Sequence, residues 1–353
     1  MQYAVTPHSA RSGPARWPGG TTHNAEAVTT DFDGNVCILK VPHVHVCSSA
    51  GVKRTIELEV AKLKMHMEKP TGVAVGPSGK IFVVDSENSR IVAFRNSGKL
   101  ERIFGNDHLS HPRGIAVDGK GCIFVADTDN NRIAVFTEEG FFDRAFGREP
   151  HEYGALRYPD GVAVDRDGTI FVTGGQHSIV VFKSNGDYVR TLGEWAPWVR
   201  EWHEHGKLCY PKGVAVDGKG CIFVADTINN RIAVFSVFPE APMGGYVGTL
   251  APVSIPGRVS GDWGLPEHVA VDMAGNVFVI HYDSRGKRDL MKVFDEPLKK
   301  LEEAEEAETK RKLLMLEKGG HSMHLPTEVL ELILANVPNS VALQEAAGNG
   351  RDI

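Results

Sequence analysis

Residues 114–136 of this chain read GIAVDGKGCIFVADTDNNRIAVF, and residues 213–235 read GVAVDGKGCIFVADTINNRIAVF. These two stretches differ at only two positions, Ile115/Val214 and Asp129/Ile228. Four weaker copies of the same phrase begin at Ala27, Gly72, Gly161 and His268. Successive copies start 42 to 55 residues apart, which is close to the period of four-stranded propeller blades. The sequence is therefore built of six related repeats.

Each repeat consists of short β-branched runs that are bounded by turn residues. In the copy at Gly114, the runs Ile115–Val117, Ile123–Ala126 and Arg132–Phe136 are separated by Gly, Asp and Asn, which is typical of hairpin-linked strands. A fourth run follows before the next proline, as in Asp143–Gly147. Four strands per repeat predict one blade, and six repeats predict an all-β, six-bladed β-propeller over residues 25–296.

The repeated phrase also resembles a known family. Pro-x-Gly-(Ile/Val)-Ala-Val-Asp, followed by Gly-x-Ile-Phe-Val-x-Asp-(Ser/Thr)-x-Asn-x-Arg-Ile, resembles the NHL repeat most closely in the copies at Gly72, Gly114 and Gly213. The likeness extends from about residue 27 to residue 294. It implies a six-bladed propeller related to the propellers of TRIM-NHL-type ubiquitin ligases.

The segments that flank the repeats differ from them in composition. Residues 1–24 are rich in Pro, Gly and Arg, and we expect them to be disordered or to donate a strand, Gln2–Thr6, to the last blade. Residues 297–320 carry Glu and Lys at i, i+4 spacing, which predicts a charged linker helix.

Residues 321–353 predict a short α-helical tail. Leu325-Pro-Thr-Glu-Val-Leu330 resembles the start of an F-box, a domain that docks a ubiquitin-ligase adaptor, whereas Val341-Ala-Leu-Gln-Glu-Ala-Ala-Gly348 resembles the first helix of an ankyrin repeat. A helical cap that packs on the propeller or on another chain is the third interpretation.

Composition narrows the function classes. The net charge of −6 gives no basic excess for non-specific nucleic-acid binding. The first residues contain no apolar signal-peptide core and the chain has no apolar run of membrane-spanning length, so we expect a cytoplasmic protein without a membrane partner. The five cysteines form no Cys-x-x-Cys pair, which excludes a RING-type zinc module within this chain.

One set of candidate binding residues lies between the proline and the glycine of each repeat. Equivalent positions of a propeller converge around its axis, so these side chains should form a ring at one mouth of the central channel. Their mixed charges favour a protein-binding surface over a basic nucleic-acid platform or a metal cage. The ring comprises Glu26, Thr71, Arg113, Asp160, Lys212 and Glu267, of which we select Arg113, Asp160, Lys212 and Glu267 as binding residues.

A second candidate site is a tryptophan-rich insertion after the fourth repeat. Trp195, Trp198 and Trp202 are spaced to share one face of a short helix. These rings either cover a gap left by Gly174-Gly175 or form an exposed aromatic anchor for a protein partner.

Catalytic and metal sites are not expected. The aspartate and arginine that recur in every regular repeat, such as Asp127 and Arg132, are expected to fasten turns, because a group that repeats in each blade is structural. Propeller lyases similar to NHL proteins hold a metal with histidines from separate blades, and only His268 matches such a position. The run His43-Val-His45-Val-Cys47 is expected to be a core strand. We therefore expect neither a metal nor another cofactor.

The resemblance and the residues together lead to one functional hypothesis with two alternatives. We expect a non-catalytic protein-interaction scaffold, which the family likeness places in substrate recognition for ubiquitin-dependent turnover, with ubiquitin-ligase components as partners. The alternatives are an RNA-binding NHL propeller, which needs a coherent basic face, and a propeller lyase or lactonase, which needs ligands in the channel.

Overall fold

The computed structural model describes residues 25–48, 51–60, 66–148, 154–195, 206–237, 245–250, 265–272, 275–282 and 288–293. The chain divides into two units, Met1–Asp295 and Glu296–Ile353, and all of the described residues belong to the first. The expected N-terminal segment 1–24, linker helix 297–320 and helical tail 321–353 lie outside the described residues.

The described residues form an all-β propeller, as the repeats predict. Five sheets have four antiparallel strands each, arranged in chain order from the inside outward. The first three are β1 (Ala27–Thr30), β2 (Val36–Lys40), β3 (His43–Ser48) and β4 (Gly51–Glu57); β5 (Pro70–Val75), β6 (Ile81–Asp85), β7 (Arg90–Phe94) and β8 (Leu100–Phe104); and β9 (Ile115–Val117), β10 (Ile123–Asp127), β11 (Arg132–Phe136) and β12 (Phe142–Phe146).

The fourth sheet contains β13 (Pro159–Val164), β14 (Ile170–Gly174), β15 (Ile179–Phe182) and β16 (Tyr188–Leu192). It is followed by a two-stranded parallel pair, β17 (Glu194–Trp195) and β18 (Lys207–Leu208). The fifth sheet contains β19 (Pro211–Val216), β20 (Cys221–Asp226), β21 (Arg231–Ser236) and β22 (Tyr246–Leu250). Among the described residues, helical structure is limited to short turns such as Thr128–Asn130, and no helix could cross a membrane.

The prediction of six four-stranded blades is wrong for the last repeat. Its described residues form a three-stranded sheet of β23 (Pro266–Val271), β24 (Val277–Tyr282) and β25 (Arg288–Val293). In the other repeats the outer strand comes from an apolar run ahead of the next proline, but the sequence after Val293 turns into the charged stretch Asp295–Lys300. Among the described residues, the structure therefore shows five complete blades and one sheet of three strands.

The core lies between neighbouring blades, because both faces of each sheet are covered. The inner strands stand side by side around the axis, with β23 in contact with β19 on one side and β1 on the other. Phe82, Phe124 and Phe171 occupy equivalent buried positions in successive second strands. This two-sided packing explains the almost continuous apolar runs of the sequence.

Glycine at the start of the inner strands permits their close approach. A Cβ atom at Gly114 would lie 2.5 Å from the carbonyl oxygen of Asp160 in the next blade, and one at Gly213 would lie 2.7 Å from that of Glu267. Such distances are shorter than any real contact, so only glycine fits at this spacing.

A buried aspartate fastens each regular blade, as its repetition predicts. Asp127 ends β10 and accepts hydrogen bonds from the backbone N–H of Ser110 at 2.7 Å and from Nε of Arg132 at 2.7 Å. Asp85 and Asp226 make the equivalent bonds in their own blades. Each carboxylate therefore ties the connector that arrives from the previous blade to the hairpin of its own blade.

We expect Asp127→Ala to lower the free energy of unfolding by about 3 kcal/mol, because the change leaves the Ser110 N–H and the Arg132 guanidinium without their acceptor. Chemical denaturation measures this loss, and Asp107→Ala, which removes an exposed carboxylate, is the control. Equal stability of the two variants would show that the buried carboxylate does not fasten the blade.

The outer edge of the last sheet generates a second prediction. If Gln2–Thr6 supplies the missing strand beside β25, Val5→Pro should lower the melting temperature by several degrees, because proline cannot donate the required hydrogen bond. His8→Pro, outside the predicted strand, should leave it unchanged. Equal melting temperatures for both variants and the unmodified chain would mean that these residues form no strand with β25.

Candidate functional site

One face of the propeller carries both the connectors between blades and the loops between second and third strands. We call it the connector face and define it by the loops 86–89, 128–131, 175–178 and 227–230 and by the residues that precede the prolines of the inner strands. Hydrogen bonds join the two sets across blades: the N–H of Tyr158 donates to Oδ1 of Asn131 at 2.8 Å, and the N–H of Tyr210 donates to Nδ1 of His177 at 3.0 Å. The opposite face carries the turns that follow the inner strands, and we call it the turn face.

The structure places the predicted ring residues at the connector-face ends of the inner strands. Nη1 of Arg113 lies 2.5 Å from Oδ2 of Asp160, which joins the third blade to the fourth. Nζ of Lys212 lies 2.5 Å from Oε1 of Glu267, and Nη2 of Arg288 lies 3.0 Å from the other carboxylate oxygen. The four selected residues thus form two ion-paired groups around the channel mouth, while their role in binding stays a prediction.

The remaining members of the ring are engaged locally. The hydroxyl of Thr71 donates to the carbonyl oxygen of Arg113 at 3.1 Å, and Oε2 of Glu26 accepts from the N–H of Val41 at 2.8 Å. Burial raises the pKa of Glu26. Burial also acts to raise the pKa of Glu267, but the charges of Lys212 and Arg288 hold that pKa below its usual value. Glu267 is therefore the firmly ionised carboxylate of the mouth.

The mouth opens into an axial channel of about 350 Å³. Its wall is formed by the small residues of the inner strands, such as Ala74, Ala116 and Val214. One side chain breaks this pattern: His268 occupies the position at which Gly114 and Gly213 approach their neighbours. The imidazole of His268 is partly accessible to the channel but enclosed by the strands, so burial lowers its pKa to about 4.

A metal-dependent site finds no support among the described residues. No group of three or more His, Cys, Asp and Glu side chains in that part of the chain could hold a metal ion. His43 and His45 lie on β3 with their rings stacked 6.1 Å apart, and Cys47 of the same strand is buried. His268, the histidine that matches a position of the propeller lyases, lines the channel.

The tryptophan insertion differs from its prediction. Trp195 belongs to β17, which pairs with β18, so it cannot share a helical face with the other two tryptophans. Trp198 and Trp202 lie outside the described residues. The expected gap at Gly174-Gly175 is filled, because a Cβ atom at Gly174 would lie 2.5 Å from the carbonyl oxygen of Tyr158. The tryptophans are therefore not required to fill it.

Sequence reasoning overlooked the residues that precede the prolines. Tyr158 and Tyr210 adopt positive φ values of 43° and 47° and expose 62% and 56% of their surface. Lys69 and His111 hold the equivalent positions, also with positive φ. The sequence signal is that this position varies among the five repeats that carry the proline, although the variation does not reveal the φ values.

Comparison with known proteins agrees with the repeat pattern. The NHL repeat matches residues 68–94, 109–136 and 208–235. The chain contains NHL repeats and folds as a β-propeller. Among curated proteins, none matches this chain.

Solved structures of low sequence identity share the fold of this NHL-repeat propeller. A streptogramin B lyase is 14% identical with a TM-score of 0.51 over 76% of this chain and 93% of its own. A catalytically inactive virginiamycin B lyase from Staphylococcus aureus with quinupristin is 16% identical with a TM-score of 0.51 over 77% and 85%. A nidogen/laminin complex is 19% identical with a TM-score of 0.51 over 65% and 81%.

His268 generates a pH prediction. Its pKa falls from 6.5 in the unfolded chain to about 4 in the folded chain, so the unfolded state binds more protons between these values and stability is lost as the pH falls through them. The histidine should account for up to about 3 kcal/mol of this loss. Unfolding free energies of the unmodified chain and of His268→Gln should therefore diverge between pH 6.5 and pH 4. If the unfolding free energies of the two proteins change in parallel with pH, the histidine does not titrate in this way.

Proposed function

We propose that this NHL-repeat propeller is a non-catalytic scaffold that binds a protein partner through its connector face. The observation that carries the proposal is the pairing of opposite charges around the mouth, Arg113 with Asp160 and Lys212 with Glu267. Positive and negative side chains together at a partly exposed rim favour specific recognition of another protein surface. The tryptophan insertion, which returns through β18 to Tyr210, would contribute to the same surface.

Two observations favour a protein over RNA as the partner. The cations of the mouth are already paired with carboxylates, whereas a phosphate backbone requires available positive charge. The net charge of −6 also opposes approach of a polyanion. RNA binding remains the alternative, and affinity purification with nuclease treatment distinguishes it from protein binding.

The structural neighbours support two roles of different kinds. The nidogen/laminin complex supports a propeller that engages a protein. The lyases support a catalytic role, and His268 lines the channel together with carboxylates such as Asp118, Asp160 and Asp165, which are potential proton-transfer groups. We therefore keep the lyase as a second alternative to the scaffold.

The finer parts of the hypothesis are proposals as well. We infer a sixth blade from the position of β23 between β19 and β1, with its outer strand supplied by residues 2–6. Substrate recognition for ubiquitin-dependent turnover rests on the NHL resemblance and on the F-box-like segment at Leu325, and ubiquitin-ligase adaptors would be the partners of that segment. A cytoplasmic location stays a prediction of the sequence.

Affinity purification of the full chain from nuclease-treated lysate tests the scaffold. The Arg113→Gln/Lys212→Gln variant should retain at least about tenfold less of the co-purifying protein. Lys120→Gln/Lys219→Gln removes the same charge from two equivalent turns of the turn face and should bind normally. Trp198→Ala/Trp202→Ala should weaken the same partner.

The other outcomes are equally informative. Partners that vanish on nuclease treatment would replace the scaffold with the RNA-binding alternative. Equal binding by the Arg113→Gln/Lys212→Gln variant and its control would exclude the mouth as the interface. Ubiquitin-ligase adaptors that bind the full chain but not residues 1–296 would support the F-box-like segment.

A further inference from the structure

Exposed apolar side chains are concentrated on one sector of the connector face. Seven large hydrophobic residues of the described part are exposed, and four of them belong to this sector: Tyr158 at 62%, Tyr210 at 56%, Leu265 at 44% and Ile228 at 39%. A cluster of this kind marks an interaction site more reliably than scattered exposed residues do.

Contacts between adjacent blades make these side chains neighbours. The rings of His177 and Tyr210 meet edge to face with centroids 4.4 Å apart. The N–H of Ile228 donates to the carbonyl oxygen of Cys209, beside Tyr210, at 3.2 Å. Thr227 donates to the carbonyl oxygen of Pro266, beside Leu265, at 2.8 Å. We call this set of residues on neighbouring blades, Tyr158, His177, Tyr210, Ile228 and Leu265, the apolar ridge.

The ridge exists because the fourth repeat departs from the others. Gly174-Gly175 replaces the buried aspartate and the threonine that regular blades carry, for example Asp127-Thr128. A Cβ atom at Gly175 would lie 3.5 Å from both Cβ and Cδ2 of Tyr158. Tyr158 therefore packs directly against Gly175.

The backbone holds both tyrosines in place. Each has positive φ, precedes a proline and donates its N–H to a side chain of the preceding blade. Burial lowers the pKa of His177, and Nδ1 accepts the bond from Tyr210 only in the neutral form of the ring. Aromatic side chains on a fixed backbone lose little entropy on binding, which is the property of an interface anchor.

The charges beside the ridge indicate the chemistry of its partner. Arg157 precedes Tyr158, is exposed, and forms no ion pair among the described residues. In blades two and three, by contrast, the basic residues that precede the prolines, Lys69 and His111, lie against Glu87 and Asp129. Arg157 is therefore an exposed cation beside an exposed aromatic ring of the ridge.

We propose that the apolar ridge binds an acidic peptide segment of a partner protein. One apolar side chain of the segment packs against Tyr158 and Tyr210, and its Asp or Glu residues lie beside Arg157. The inference rests on the proposed scaffold function and names the kind of sequence that the scaffold recognises.

Selection of a random dodecapeptide display library on the immobilised full chain tests this inference. The selected peptides should be enriched in Asp and Glu around an aromatic, aliphatic or proline residue. Tyr158→Ala and Tyr210→Ala should each weaken a selected peptide by at least about tenfold, whereas Tyr158→Phe should bind it normally. Phe141→Ala, which removes an equally exposed ring from the loop between β11 and β12, is the control, and Arg157→Glu should favour peptides with fewer acids.

Each other outcome overturns the inference in a distinguishable way. Peptides that bind the Tyr158→Ala variant normally but not Arg113→Gln/Lys212→Gln would keep the scaffold and remove the ridge as its site. Peptides without acidic enrichment would contradict the proposed partner chemistry, and a selection that yields no binding peptide would contradict the ridge. Binding of oligouridylate RNA that is lost in Tyr158→Ala would overturn both the inference and the scaffold.

Discussion

A buried carboxylate at the end of the second strand holds the connector face of each regular blade in position. Asp127 joins the N–H of Ser110 to the guanidinium of Arg132 within 2.7 Å, so it fixes the incoming connector and the outgoing hairpin at one point. In the regular blades this point also restrains the residue before the proline, which has positive φ at Lys69, His111 and Tyr210.

The blades that lack this restraint are the ones with distinctive surfaces. In the fourth blade, Gly174 replaces the aspartate, and the Tyr158-Pro159 backbone moves into the space against it. In the last sheet, His281 stands opposite Pro266, where Asp226 faces Pro211 in the regular blade before it. Glu267, the residue that follows Pro266, forms ion pairs with Lys212 and Arg288. Departures from the repeat therefore mark the sector that we assign to recognition.

Much of the fold could be predicted from the sequence, because the repeat encodes each blade locally. The runs at the Val-Ala-Val-Asp and Ile-Phe-Val-Ala-Asp positions form strands in all six copies, and the recurring Asp127 and Arg132 pair was correctly predicted to be structural. The last sheet has three described strands, in line with the sequence, which turns into a charged stretch after Val293. The helix predicted through Trp195 failed because pairing of β17 with β18 outweighs the helical spacing of three aromatic residues.

The candidate site was less accessible to sequence reasoning. Convergence of Arg113, Asp160, Lys212 and Glu267 follows from the symmetry of a propeller, but their pairing partners depend on which charges meet across each blade junction. The exposure of Tyr158 and Tyr210 depends on positive φ values that no local pattern near a proline indicates. A glycine pair in the sequence likewise does not reveal whether side chains or backbone occupy the space beside it.

Amide hydrogen exchange of the full chain, with and without its purified protein partner, tests the central claim most directly. The account predicts slower exchange on binding in the connector-face segments 154–162, 174–180 and 206–213, with no change in the turn-face segments 118–122 and 137–141. Protection confined to the turn face, or absent from the connector face, would contradict the account.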